Sequence, residues 1–192
     1  MEITPQFAVT EEIFEAAAAG IAAHAPDVGS LKWERFAAPG GWLLIPDDQG
    51  ELSKAEMSLL VTAERTVRLN VWVRPDLRGG QKPMPHNHPW SSFTGHVLLG
   101  GYDEDRYAQD NGGVRSDLGV RHNSPAANTI DHETYHEVTA VHEPGRTVSL
   151  MVCGPGRRGD WGYLNIDTGQ VGREQPVHGF DRMLNALNPQ RR

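Results

Sequence analysis

The amino-acid sequence predicts a single all-β domain that carries one α-helix near its N-terminus. The chain has 192 residues, which is one domain by default and enough for a full hydrophobic core. A helical pattern is clear only in an early alanine-rich segment, and the rest consists of short apolar runs between glycine- and proline-rich turns. Many short strands and few helices are typical of a β-sandwich or β-barrel.

The predicted helix covers approximately residues 10–23. Thr10 is a suitable N-cap, Glu11 and Glu12 place acidic charge in the first turn, and Pro26 ends the helix. We assign residues 1–28 to an N-terminal helical extension of the domain. Residues 29–170 are assigned to the β-barrel, and residues 171–192 to a C-terminal tail with a short helix at Phe180–Leu187.

The strand pattern is clearest in residues 66–74. Valine or leucine at the odd positions alternates there with Arg68, Asn70, Trp72 and Arg74, as expected for a strand with two unlike faces. The even-numbered face is interpreted as solvated, although an inward arginine would anchor an acidic substrate. The other predicted strands are residues 31–36, 42–45, 56–62, 96–102, 137–141, Thr147–Cys153 and 163–167.

Composition argues against several classes of partner. The chain has 18 basic and 25 acidic residues and a net charge of -7, so nucleic acid and anionic membranes are poor partners. No apolar stretch approaches the length of a membrane span. Because Cys153 is the only cysteine and the first residues do not resemble a signal peptide, we expect a cytoplasmic protein without an internal disulfide.

His86-Asn87-His88 is the most informative motif of the chain. Side chains alternate along an extended segment, so the two histidines point to the same side. Two adjacent imidazoles suit a transition metal better than a packed core. The alternative is a surface loop with two unrelated histidines between Pro85 and Pro89.

The surroundings of this pair resemble the first motif of the cupin superfamily, Gly-x5-His-x-His-x3–4-Glu-x6-Gly. Gly80, His86, His88 and Gly100 match that motif in spacing, whereas Phe93 stands at the glutamate position. The resemblance implies a cupin double-stranded β-helix, or jelly-roll barrel, with both histidines as metal ligands.

A third ligand has to come from another segment, and residues 132–138 are the only other histidine-dense stretch. His132 and His136 cannot easily bind one ion together, because four strand residues cover about 13 Å. One of the two is therefore a ligand and the other a residue of the pocket or its mouth. The stretch His136-Glu-Val-Thr-Ala-Val-His142-Glu-Pro-Gly-Arg-Thr-Val-Ser-Leu150 resembles the cysteine dioxygenase segment His-Arg-Val-Glu-Asn-x-x-x-x-Glu-Pro-x-x-Ser-Leu. This resemblance implies that His136 is the third metal ligand, with His132 as the alternative.

The same family of thiol dioxygenases uses three histidines without a glutamate, which matches Phe93. The resemblance favours Fe(II), with zinc, manganese, nickel or copper as alternatives, and implies a dioxygenase that takes O2 and a small polar metabolite. Cysteine itself is not expected as the substrate, because residues 56–60 lack the family's carboxylate-binding arginine. Of the positions corresponding to the family's Ser-His-Tyr triad, Ser149, Met151 and Cys153, only the serine is kept.

The remaining candidate residues have structural alternatives as well. The candidate catalytic residues are His96, Tyr102 and His132, and the candidate pocket residues are Trp90, Phe93, Met151 and Cys153. Each of them is also explained by ordinary packing. A non-oxidative metal-dependent isomerase or lyase, in which His96 or His132 moves a proton, is the second function class. A metal-dependent ligand-binding module is the third, and the sequence leaves open whether the chain forms a homodimer.

Overall fold

Antiparallel β-strands make up most of the regular structure of this protein, and its helical part is small. The computed structural model describes residues 1–80, 82–156 and 159–191. The strands in this part of the chain are β1 (Glu2–Thr4), β2 (Phe7–Ala8), β3 (Leu43–Pro46), β4 (Leu52–Val61), β5 (Thr66–Trp72), β6 (Ser92–Leu99), β7 (Gly101–Asp110), β8 (Gly113–Asn123), β9 (Ala126–Asp131), β10 (Tyr135–Val141), β11 (Thr147–Cys153), β12 (Tyr163–Leu164) and β13 (Val171–Gly172). The α-helices are α1 (Glu11–His24), α2 (Trp33–Phe36) and α3 (Phe180–Leu187).

Two antiparallel sheets form the body of the domain. One has six strands in the order β3-β4-β5-β11-β6-β9, and the other has three strands in the order β10-β7-β8. Side chains from both sheets line one cavity, including Trp72 and Phe93 from the first sheet and Tyr102 and Val138 from the second. This arrangement confirms the predicted jelly-roll class of barrel.

The largest apolar core lies outside the barrel, between the six-stranded sheet and α1. Ile13, Ala17 and Ile21 form the buried stripe of α1, and the odd positions of β5, including Leu69, pack in the same core. The even positions of β5 therefore face the barrel interior. The predicted N-cap is confirmed, because the Thr10 side chain accepts a hydrogen bond from the backbone N–H of Ile13.

Gly20 allows α1 to approach the sheet closely. A Cβ atom at this position would lie 2.6 Å from Cδ1 of Leu98 on β6. That distance is too short for two carbon atoms, so a larger residue would require the Leu98 side chain or the helix to move.

Residues 31–36 were predicted as a strand, and that prediction is wrong. The segment contains α2, in which Phe36 is fully buried. Trp33, Phe36 and Ala37 turn inward or partly inward at intervals of three and four residues, which is the period of a helix.

The predicted strand 96–102 is in fact parts of two strands in different sheets. β6 ends at Leu99 and β7 begins at Gly101, with Gly100 between them at a φ of 62°. A side chain at Gly100 would also collide with Thr147, since its Cβ would lie 2.5 Å from Oγ1 of that residue.

β8 and β9 were not predicted, because β8 is mostly exposed and lacks an apolar alternation.

The C-terminal segment packs back onto the sheet. Helix α3 has the predicted bounds, and Asn188 after it bonds with both the backbone N–H and the carbonyl of Leu44. Within the described ranges, none of the helices combines the length and the apolar character that crossing a membrane would require.

Candidate metal centre

Three histidines converge at one end of the cavity. His86 and His88 come from the extended segment between β5 and β6, and His136 comes from β10. Their candidate ligand atoms all lie within 4.8 Å of one another, and Nε2 of His88 is 3.0 Å from Nε2 of His136. The structure thus brings together the three histidines that the sequence motifs indicated.

The backbone explains why these side chains meet. His86 and His136 form an antiparallel bridge, with His86 N to His136 O at 3.1 Å and His136 N to His86 O at 2.9 Å. The intervening Asn87 points the other way, where its Oδ1 accepts from Gly162 N at 2.8 Å and its Nδ2 donates to His132 O at 2.9 Å. Residues 86–88 do not form a regular strand, but their side chains alternate as predicted.

The chemistry of the three imidazoles fits a divalent metal ion. The pKa values of His86 and His88 both lie well below the usual range, and burial is the main cause of each shift. Both rings are therefore neutral. Neutral imidazole is the form that binds metals. Nδ1 of His86 is buried without a hydrogen-bond partner among the described protein groups. Two nitrogen ligands at about 2.1 Å from one ion and at a right angle are about 3 Å apart, close to the separation seen here.

Glu104 on β7 orients one of the three rings. Its carboxylate lies 3.1 Å from Nδ1 of His136, and the residue has no exposed surface. Burial by itself raises the pKa of Glu104, but hydrogen bonds from His122 and His136 and the nearby charge of Arg106 bring it far below its usual value. The residue therefore remains a carboxylate that holds His136 by its Nδ1.

A network of polar side chains surrounds Glu104. Asn128 donates to Oε1 of Glu104 at 3.0 Å and to the hydroxyl of Tyr102 at 2.9 Å. Arg106 pairs with Glu104 and with the Asn128 carbonyl oxygen, and His122 lies 3.1 Å from Glu104. Sequence reasoning missed Glu104, because residues 103–105 are a run of acids that is typical of an exposed strand. One signal was available in the sequence. Glu104 is two residues from Tyr102 on the same strand, so both side chains point to the same face.

The cavity beside the histidines is small. Its volume is about 30 Å³, whereas one buried water molecule needs about 10–15 Å³. It is lined by Lys54, Trp72, Asp76, His86, His88, Phe93, Gly95, Tyr102, His136, Val138, Ser149 and Met151. Tyr102, Phe93 and Met151 are thus placed at the cavity, as the sequence analysis expected.

Trp90 and Cys153 support the cavity wall without lining it. Both belong to a buried apolar cluster with Phe93 and Met151. Trp90 stacks on His88 at 5.3 Å between ring centroids, and the rings of Phe93 and His88 are nearly perpendicular, with their centroids 4.9 Å apart. Their expected role as pocket residues is therefore corrected to packing behind the ligands.

His96 lies away from this cavity. It is on the opposite face of β6 from Phe93 and Gly95, and it stacks on His24 of α1 at 3.7 Å. The expectation that His96 is a catalytic group of this site is thus wrong, because even-numbered residues of β6 face the helix.

His132 holds the backbone of the histidine motif. Its Nδ1 lies 2.9 Å from the carbonyl oxygen of His88, and its Nε2 lies 3.5 Å from Asp160. It is not among the residues that line the cavity. His132 thus contacts the backbone of His88 and not the cavity, and a catalytic role for it stays a prediction.

Lys54 and Asp76 form a buried ion pair at the cavity that the sequence analysis did not identify. Nζ of Lys54 lies 2.8 Å from Oδ2 of Asp76, and Arg78 pairs with the same carboxylate. Burial by itself raises the pKa of Asp76, but Arg78 and Lys54 keep it well below its usual value. The cavity therefore holds fixed charges of both signs beside the three histidine rings.

No protein-family profile matches the chain, and no curated protein matches it. Several solved structures resemble it. KdgF from Halomonas sp. has 18% identity and a TM-score of 0.39 over 55% of this chain and 82% of that chain. Pac13 from Streptomyces, described as a unique nucleoside dehydratase, has 12% identity and a TM-score of 0.44 over 66% of this chain and 87% of that chain.

An RmlC-like cupin protein from Ralstonia eutropha has 12% identity and a TM-score of 0.41 over 77% of this chain and 83% of that chain. Proteins named as cupins are thus among the structural neighbours of this chain.

Proposed function

We propose that this protein is a mononuclear metal-dependent enzyme, and that with Fe(II) held by His86, His88 and His136 it is a dioxygenase for a small polar substrate. The observation that carries the proposal is the convergence of three imidazoles, one buried and two half-buried, on one cavity. No carboxylate within the described ranges belongs to the cluster. An iron ion with neutral nitrogen ligands keeps its full charge and supplies the redox chemistry that O2 requires.

The side chains around the cavity have defined tasks in this proposal. Glu104 keeps the proton of His136 on Nδ1, so that Nε2 is free as a ligand. Trp72, Phe93 and Met151 form apolar walls that exclude bulk water from the reacting groups.

Tyr102 supplies a neutral hydrogen-bond donor. Its hydroxyl oxygen accepts from Asn128, which leaves its own O–H free to donate. Burial, the largest effect, raises its pKa well above the ordinary value, so the proton stays on the oxygen.

A second candidate function is a non-oxidative isomerase or lyase. The specific observation in its favour is Lys54, whose ammonium group lines the cavity and is held in place by Asp76. A fixed ammonium beside a metal-bound carbonyl compound would be a proton donor, which a lyase needs and a dioxygenase does not.

Metal content and gas dependence together test these proposals. Protein purified without chelators is assayed for metals, loaded with Fe(II) under argon, and mixed with a panel of small acids, diols and amines. O2 uptake that needs both iron and one compound supports the dioxygenase, whereas turnover under argon supports the second candidate. His136→Ala is expected to abolish either activity, and His96→Ala, on the far face of β6, to retain it. Metal binding without any turnover would contradict both.

A further inference from the structure

Gly95 lies in the middle of β6, where its missing side chain leaves open space in the wall of the cavity. Phe93 and Gly95 both line the cavity, and the register of β6 sets Gly95 between Met151 of β11 and Asn128 of β9. Residues two apart on a strand point to the same face. A side chain at position 95 would therefore point into the barrel, as that of Phe93 does.

The backbone and the packing do not require a glycine at this position. The φ angle of Gly95 is outside the left-handed region, unlike that of Gly100 in the same part of the chain. A Cβ atom on Gly95 would lie 3.8 Å from the backbone oxygen of Asn128 and 3.8 Å from the hydroxyl oxygen of Tyr102, which are ordinary contacts. Apart from its chain neighbours, no other heavy atom of the described residues lies within 4 Å of that Cβ position.

A glycine inside a strand has a cost, because glycine loses more backbone freedom on folding than alanine does. Such a glycine often marks a place where another backbone or a ligand approaches closely. No other backbone approaches Gly95 more closely than its ladder partner Asn128 among the described residues. The space over Gly95 is therefore best explained by a ligand.

The hydroxyl group of Tyr102 lies next to this space and has a proton to donate. Its oxygen accepts from Nδ2 of Asn128 at 2.9 Å, and in the described part of the chain no acceptor is bonded to its O–H. Tyr102 is 5% exposed, so bulk water does not replace the missing acceptor. Buried polar groups are nearly always paired. The space over Gly95 thus suits a molecule that accepts a hydrogen bond from Tyr102.

The cavity limits the size of that molecule. Its volume is about 30 Å³, and one buried water molecule needs about 10–15 Å³, so a ligand beside a metal ion has room for one or two heavy atoms. An acceptor bonded to the Tyr102 hydroxyl lies about 2.8 Å from its oxygen. A methyl group on residue 95 would occupy the space that such an acceptor needs.

We propose that Gly95 determines which ligands reach the metal centre, because its missing side chain admits a hydrogen-bond acceptor of one or two heavy atoms beside the Tyr102 hydroxyl. Dioxygen and nitric oxide both belong to this class. The inference rests on the proposed function in one respect, namely that His86, His88 and His136 hold a metal ion. It adds the place of the small ligand and the residue that keeps this place open.

The test compares Gly95→Ala with Gly113→Ala and uses nitric oxide as the probe. Gly113 on β8 is exposed and has a φ outside the left-handed region, and its Cβ would likewise lie 3.8 Å from one backbone oxygen, that of Asp110. Each protein is loaded with Fe(II) under argon and titrated with nitric oxide, and the complex is followed by electron paramagnetic resonance and visible absorbance. Iron content and melting temperature are measured for each variant.

We expect wild type and Gly113→Ala to bind nitric oxide with equal affinity. Gly95→Ala should keep its iron, melt at or above the wild-type temperature, and bind nitric oxide at least tenfold more weakly. A smaller loss of affinity, or an equal loss in Gly113→Ala, overturns the inference. So does a Gly95→Ala variant that loses its iron or melts below wild type, because the glycine would then be required by packing. Iron-loaded wild type that binds no nitric oxide overturns it as well.

Turnover separates this inference from the proposed function. If Gly95→Ala blocks nitric oxide but iron-loaded wild type shows no O2-dependent turnover with any compound, the dioxygenase proposal alone is contradicted. If wild type consumes O2 with a substrate and Gly95→Ala binds nitric oxide as wild type does, the inference alone is contradicted. Wild-type protein that holds no metal would contradict both.

Discussion

The buried carboxylate of Glu104 lies 3.1 Å from Nδ1 of His136. A carboxylate only accepts hydrogen bonds, so the proton of this imidazole is held on Nδ1. Nε2 of His136 is then left with a free lone pair, 3.0 Å from Nε2 of His88. This one contact joins the polar network of the three-stranded sheet to the candidate metal centre.

The first prediction concerns this contact. Glu104→Gln should weaken metal binding about 10- to 100-fold, because glutamine is neutral and can present its N–H₂ to Nδ1 of the imidazole. The measurement is a competitive titration with a chromophoric chelator. Asp105→Asn is the control, since Asp105 is next on the strand and accepts from Gly119 N instead. Equal affinities in the two variants would contradict the assigned role of Glu104.

The second prediction separates the two histidines of the 132–136 segment. His136→Ala should lose the metal, because it removes one of three converging ligand atoms. His132→Ala should retain it, because His132 contacts only the His88 backbone carbonyl and Asp160 among the contacts described for its ring. Elemental analysis of both purified variants is the measurement. Metal in His136→Ala but not in His132→Ala would show that the ligand assignment is displaced by four residues.

The third prediction concerns Phe93, which stands where the cupin motif has glutamate. Its ring centroid is 4.9 Å from that of His88, so Phe93→Glu should place a carboxylate beside the metal and raise the affinity for divalent ions. Phe93→Gln has the same length without the charge and is the matched control. Both variants should lose stability, by about 1.5–3 kcal/mol from the lost apolar burial. Identical metal affinities for the two variants would mean that residue 93 does not reach the ion.

The fourth prediction concerns the thiol of Cys153. The side chain is 1% exposed, and burial, the largest effect, raises its pKa to about 12. Because the thiolate is the reactive form, a disulfide reagent at pH 8 should not modify the folded protein and should modify one thiol per chain in urea. Rapid modification without denaturant would contradict the packing of Cys153 behind the cavity.

The fifth prediction concerns the pH dependence of stability. Glu137 is 2% exposed, and burial, the largest effect, raises its pKa to about 7 from an ordinary value of 4.5. Between these two pH values the folded chain holds a proton that the unfolded chain has released. The free energy of unfolding therefore falls as pH rises through this window, by about 3 kcal/mol in total for this group.

Glu137→Gln removes this loss and keeps an acceptor for the backbone N–H of Met84. Urea unfolding of the chelator-treated protein should show the variant more stable than wild type at pH 8 and similar to it at pH 4. Glu64→Gln, at an exposed position, should show no such pH dependence. If the free energy of unfolding of wild type did not fall relative to that of Glu137→Gln between pH 5 and pH 7, the assignment would be contradicted.

Local pattern was sufficient for part of this structure. The Thr10 cap and the alanine-rich run predicted α1, and the alternation of β5 predicted a strand with two unlike faces. The single residue between His86 and His88 directed both rings to one side, since an extended backbone alternates whatever surrounds it. The two-residue repeat of a strand and the 3.6-residue repeat of a helix both appear in the sequence itself. They therefore predict local structure without knowledge of the fold.

Tertiary structure decided which faces point inward and which distant residues meet. The apolar face of β5 turned out to face α1, which left Asn70 and Arg68 inside the barrel. Glu104 reached His136 only because β7 pairs with β10 in a register that sets His136 opposite Arg106. His96 lies outside the site because it is on the face of β6 opposite Phe93 and Gly95, and this face points toward α1. A strand's register and the partner of each of its faces depend on long-range packing, and a shift of one residue would exchange every interior side chain for an exterior one.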